Sequence, residues 1–170
     1  MNYFELFALP QGFEVDSSAL SIRYRELQRA VHPDNFAAGS ERERLLAVQK
    51  TAEINDAYQT LKSPLMRAEY ILRLHGVELQ GETTTIKDPI FLMQQLELRE
   101  ALADLADSAD PLGDSMALEQ QFSALKNELM ASLMGQLAQE NWLVAADSIR
   151  KLKFIHKLDQ ELTLLEEQWQ

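Results

Sequence analysis

The sequence predicts an all-α protein, and three observations carry that prediction. Leu occurs 28 times and Ala 19 times in 170 residues, whereas Val, Ile and Thr together reach 18. The strong helix formers therefore dominate, and the β-branched residues that favour strands are scarce. No segment alternates apolar and polar residues with period 2. Apolar residues instead recur at steps of three and four, the spacing of one helix face.

The elements follow in order. After a short apolar segment at residues 3–10, residues 17–31 place Leu20, Tyr24, Leu27 and Val31 on one stripe. Pro33 ends that helix, because it lacks an N–H and cannot extend it. The next helix starts near Ser40 and Glu41 and carries two overlapping stripes, Leu45/Val48/Ala52 and Ile54/Tyr58/Leu61. It must return antiparallel if its apolar stripes are to meet those of its neighbour. Residues 64–74 form a further helix, closed by His75 and the C-cap glycine Gly76. His75 reads as a last-turn residue favoured by the helix dipole. Residues 77–87 hold Gly81 and three consecutive threonines, Thr83 to Thr85, with no amphipathic period.

Asp88 followed by Pro89 restarts a helix in the preferred way, an N-cap acid before a proline at the first helical position. A polar break at residues 108–114, containing Pro111 and Gly113, separates that helix from the next. The following stripe runs Leu118, Phe122, Leu125, Leu129, Leu133, Leu137, and a second break near Glu140 and Asn141 precedes the last helix. The organisation expected is a helical domain at 1–75, a linker at 76–84 and a three-helix bundle at 85–170.

Composition excludes several functions. With no cysteine there is no disulfide framework, thiol nucleophile, thiolate zinc site or cysteine-held cluster on this chain. The longest stretch without a charge, residues 129–139, is far shorter than the roughly 20 apolar residues of a membrane helix. No basic residue precedes Arg23, so the start does not read as a targeting peptide, and the chain is expected to be cytoplasmic and monomeric. A net charge of −11 disfavours nucleic acid. That charge is uneven. Residues 1–75 hold nine basic and ten acidic side chains, residues 76–170 seven and seventeen.

His32, Pro33 and Asp34 sit at the tip of the helical hairpin, beside a helix whose outer face presents Arg25 and Arg29, with Arg23 flanking. Taken alone, the tripeptide is a helix stop followed by a turn. A catalytic His/Asp pair would need an orienting third group and a pocket, which a hairpin tip does not supply. A metal site would need more ligands, and His75 and His156 lie in unrelated contexts. No cofactor or metal is expected.

The helix from Pro89 has two apolar faces. At about 100° per residue, Phe91, Leu98, Leu102 and Leu105 share one stripe, while Leu92, Met93 and Leu96 lie on the other side beside Glu97, Glu100 and Asp104. Two readings fit: a central helix buried all round, or an exposed apolar patch with an acidic rim, the usual mark of a protein-binding surface. Burial all round would dehydrate three carboxylates.

The segment YFELFALP at 3–10, the basic helix, the tripeptide at 32–34 and a second amphipathic helix together resemble a J-domain, the module that stimulates DnaK-type chaperones. NDAYQTLKSPLMRAEYILRLHG at 55–76, FLMQQLELREAL at 91–102 and RKLKFIHKLDQEL at 150–162 resemble the HscB family, the dedicated J-type co-chaperones of bacterial iron–sulfur cluster assembly. The likeness spans nearly the whole chain and weakens through 107–139. It implies a non-enzymatic co-chaperone whose His32, Pro33 and Asp34, with Arg23, Arg25 and Arg29, engage the DnaK-class chaperone HscA. It also implies that Leu92, Met93, Leu96 and Phe154, with Glu97, Glu100 and Asp104, hold the scaffold IscU. On periodicity alone Phe154 fits a core position equally well. Most J-domains have lysine after the tripeptide, where this chain has Asn35. The alternative is a general J-protein that delivers unfolded clients to DnaK.

Overall fold

The computed structural model describes residues 1–79 and 86–169, and all regular structure among them is helical. Gly81 and Thr83 to Thr85 lie outside the described residues. The chain divides into two compact units, Met1–Leu74 and His75–Gln170. No helix among the described residues is long and apolar enough to cross a membrane.

The first unit contains α1 (Tyr3–Leu6), α2 (Ser17–Val31), a 3-10 turn (Pro33–Phe36), α3 (Glu41–Lys62) and α4 (Pro64–Leu74). Side-chain caps set the helix starts. The Asp16 carboxylate accepts the N–H groups of Ser18 and Ala19, and Ser40 Oγ accepts that of Glu43. The core is built from Phe4, Phe7, Leu20, Ile54, Ala57, Leu61 and Ala68, all nearly sealed from water. Across the α2/α3 hairpin, Tyr24 stacks on Tyr58 with ring centroids 3.9 Å apart, and its hydroxyl donates to Asn55 Oδ1 at 2.7 Å. Arg67 is buried and held by backbone carbonyls. Its guanidinium donates to the carbonyls of Phe13 and Leu61, both at 2.6 Å, and lies over the Phe13 ring. These bonds offset part of the cost of dehydrating the cation, a cost that also pulls its pKa below the ordinary value.

One stripe of α3 departs from the expectation. Ile54 and Leu61 are sealed and Tyr58 is half-buried, whereas Leu45, Val48 and Ala52 are exposed. The reason is angular: Leu45, Val48 and Ala52 lie about 120–180° around the helix from Ile54, and α2 covers only one side.

The second unit contains α5 (Pro89–Asp104), a 3-10 turn (Leu105–Asp107), α6 (Pro111–Ala138) and α7 (Trp142–Glu167). Helices α6 and α7 form the long hairpin, turned at Glu140 with a positive φ of 58°. Leu133, Leu137, Ala145, Ala146, Ile149 and Leu152 are buried toward the turn. At the other end, Phe91, Leu98 and Leu102 of α5 join Leu118, Phe122, Ile155, Leu158 and Leu162 in one core cluster. Helix α6 begins at Pro111, inside the expected break. Asp110 caps it through the Gly113 N–H, at 3.1 Å, so this second Asp-Pro pair repeats the start of α5.

Candidate functional site

Two surfaces bear the residues singled out above, one on each unit. The first is the hairpin tip. The chain leaves α2 at His32 in an extended conformation, and Pro33 enters the 3-10 turn, closed by Asn35 N–H donating to His32 O at 2.9 Å. The imidazole folds back over the turn, its Nδ1 accepting the Asp34 N–H at 3.2 Å. The His32 and Asp34 side chains are 55% and 91% exposed. They are presented to solvent and not enclosed as a catalytic pair would be. A cavity of about 530 Å³ opens here between Arg25, Gln28 and Arg29 on one side and His32, Asp34 and Asn35 on the other.

The arginines divide in role. Arg25 and Arg29 are exposed and line this cavity. Arg23 instead donates its guanidinium to the carbonyls of Phe7 (2.7 Å) and Ala8 and so fastens the loop after α1 to α2. Asn35 acquires a structural role absent from the sequence reading. Its side-chain amide donates to Arg29 O at 2.6 Å and Ala30 O at 3.4 Å, closing the open carbonyls at the end of α2. The signal was available in principle, because Asn with a free amide just past a helix end is a common cap.

The second surface is the outer face of α5. Asp88 caps the helix through the N–H groups of Ile90 and Phe91 and meets Lys151 Nζ of α7 at 2.8 Å. The Lys151 hydrogen bond is the main cause that holds the Asp88 carboxyl below its ordinary value. Phe91 faces the core at 4% exposure, whereas Leu92, Met93 and Leu96 are 41%, 60% and 62% exposed. Glu97, Glu100 and Asp104 are exposed beside them. The helix is therefore not buried all round. Ile90, 75% exposed, adds to the same surface. Sequence reasoning passed over it, although it falls within about 60° of Met93 on the helix.

Phe154 on α7 belongs to both readings. It is half-buried, packs on the core cluster and meets Phe91 edge-on with centroids 6.0 Å apart. Arg99 lies over its ring at 5.6 Å and pairs with Glu161 at 2.8 Å. Among the described residues no group of three or more His, Asp or Glu side chains is placed to hold a metal ion. What the two surfaces can do is bind: one is basic and hydrogen-bonding, the other apolar with acidic neighbours.

Comparison with known proteins gives consistent matches. The family model described as the HscB C-terminal oligomerisation domain matches residues 87–163. A co-chaperone protein HscB homolog of Vibrio cholerae is 55% identical over 168 residues, covering 99% of this chain and 98% of the relative. One from Aliivibrio fischeri is 54% identical over 167 residues, covering 98% of each. Among solved structures, the chaperone HscB from Vibrio cholerae superposes with a TM-score of 0.90 at 54% identity, covering all of both chains. Human co-chaperone HscB gives a TM-score of 0.90 at 30% identity, covering 98% of this chain and 82% of its own.

Proposed function

The chain belongs to the HscB family of co-chaperones, and on that premise we propose that it delivers the scaffold protein IscU to the DnaK-class chaperone HscA and stimulates the ATPase of that chaperone. The observation that carries this reading is the exposure of Leu92, Met93 and Leu96 beside three carboxylates, on a different unit from the His32-Pro33-Asp34 tip.

In the first step, Arg25 and Arg29 attract an acidic surface of the chaperone, which speeds and orients the encounter. The exposed His32 imidazole and Asp34 carboxylate then make short-range contacts that favour the hydrolysis-competent state of the chaperone. This chain performs no chemistry in that step, and it is not an enzyme in this reading. Arg23 acts by holding α1 against α2.

In the second step, the scaffold covers Leu92, Met93, Leu96 and the exposed part of Phe154, while Glu97, Glu100 and Asp104 set its orientation. Full burial of one such side chain is worth roughly 1.5–3 kcal/mol, against an association cost of about 4–15 kcal/mol. A few partly exposed anchors therefore suit micromolar, reversible docking, as an adaptor that hands over its cargo requires. One chain carrying both surfaces raises the local concentration of scaffold at the chaperone. Cluster chemistry stays on the scaffold, in keeping with a chain that has no cysteine. The adaptor works as a single copy in the cytoplasm.

The test is the ATPase rate of HscA measured with this chain, with IscU, and with both. The reading expects more than additive stimulation with both. Additive rates would leave a general J-protein.

A further inference from the structure

We propose that the groove between α5 and α6 is the seat of a lysine or arginine side chain of the scaffold. The proposal rests on the docking assigned above to α5 and extends it onto a second helix.

The groove has a volume of about 310 Å³. Leu98, 5% exposed, and the half-buried Leu125 give it an apolar base. Ala101 and Ala124 line it with short side chains that leave its volume open, and the exposed Glu97 and Glu128 supply carboxylates from the two helices. Gln94 and Gln121 complete the lining with amide groups, so the groove offers an apolar base, hydrogen-bonding walls and a carboxylate from each helix, a combination that suits a long cationic side chain. The methylene stem of lysine or arginine lies along apolar surface while its head remains with the charges. A wholly apolar group would strip water from both carboxylates without replacing it, and an acidic group would be repelled.

The charge distribution of the unit points the same way. Arg99, Lys126, Arg150 and Lys151 are committed to Glu161, Asp159, Asp147 and Asp88. Neither Glu97 nor Glu128 is in an ion pair among the described residues, so both carboxylates remain available to a cation from a partner. The groove is also continuous with the docking face. Ile90 and Met93 lie within about 40° of Glu97 around α5, and both are largely exposed. A scaffold seated on the apolar patch reaches the groove edge without leaving protein surface.

The experiment is calorimetric titration of the full chain with IscU. Glu128→Lys is expected to weaken binding roughly tenfold or more, because a like charge then faces the incoming cation. Glu128→Gln should weaken it several-fold. The Glu128→Lys loss should shrink as salt screens the pair. Ala124→Leu, which fills the groove without changing its charge, should also weaken binding. Glu140→Lys, an equal charge change at the exposed α6–α7 turn, should change it by less than about twofold, as a screened remote charge does. Equal effects of Glu128→Lys and Glu140→Lys would overturn the proposal, as would full affinity in Ala124→Leu. If Leu92→Ala with Leu96→Ala loses affinity while Glu128→Lys keeps it, the groove alone is wrong. If that double variant binds like the parent, the docking face itself is wrong.

Discussion

Truncating Leu92 and Leu96 together to alanine separates a docking surface from a core. The two side chains are 41% and 62% exposed, so about one full leucine side chain of apolar surface is free for a partner to cover. At roughly 1.5–3 kcal/mol for burying one leucine, scaffold affinity should fall by about 10- to 150-fold. Their inner portions still touch the domain, so some fold stability is also lost. No closed cavity opens, however, and the loss should stay well below the roughly 4–10 kcal/mol that two core leucine truncations cost. The assay pairs calorimetric titration with IscU and urea unfolding of the same preparations. A stability loss of core size with unchanged affinity per folded molecule would refute the assignment. So would unchanged affinity with unchanged stability.

Three other perturbations test the remaining contacts. His32→Gln removes the exposed imidazole while leaving α2 and α5 in place; stimulation of HscA should vanish, with helicity by circular dichroism and IscU affinity unchanged. Asn35→Ala removes the amide that closes Arg29 O and should lower stability by about 0.5–1.5 kcal/mol, read as a lower Tm. Glu166 is held above its ordinary 4.5, first by burial and then by the adjoining Glu119 carboxyl. The folded state therefore binds that proton more tightly than the unfolded chain, and the associated stability disappears as pH rises. Glu166→Gln should raise Tm at pH 7, and the difference should close below about pH 4.5.

Much of this architecture is legible in residue spacing, because leucine-rich stripes at steps of three and four admit few alternatives to helix. The failures share a cause. Periodicity reports that a helix has an apolar side but not whether a neighbour covers it. Leu45, Val48 and Ala52 form as regular a stripe as Ile54, Tyr58 and Leu61, yet only the second meets α2 and the adjoining core. Polar composition misled in the opposite direction at Asp110 and Pro111, where a helix start resembles a loop until the capping bond to Gly113 is seen. At the sites, the residue types were readable and their orientations were not. Arg23 flanks the apolar stripe of α2, about 200–240° around the helix from Arg25 and Arg29, but that the carbonyls of Phe7 and Ala8 lie within its reach is visible only in the structure. Asn35 reads as a missing lysine until its amide is found on the end of α2.

Phe154 imposes a division of labour on any attempt to change the partner of this adaptor. Because its ring packs on the core cluster, meets Phe91 edge-on and supports Arg99, a substitution there should disturb folding along with the docking proposed above. Ile90, Leu92, Met93 and Leu96 carry no such double duty to the same degree, since much of each lies outside the fold. New specificity is therefore to be sought by rewriting the outer face of α5 while α7 is kept as an invariant base. Variation among natural or engineered adaptors of this shape should be tolerated on the first helix and resisted on the second.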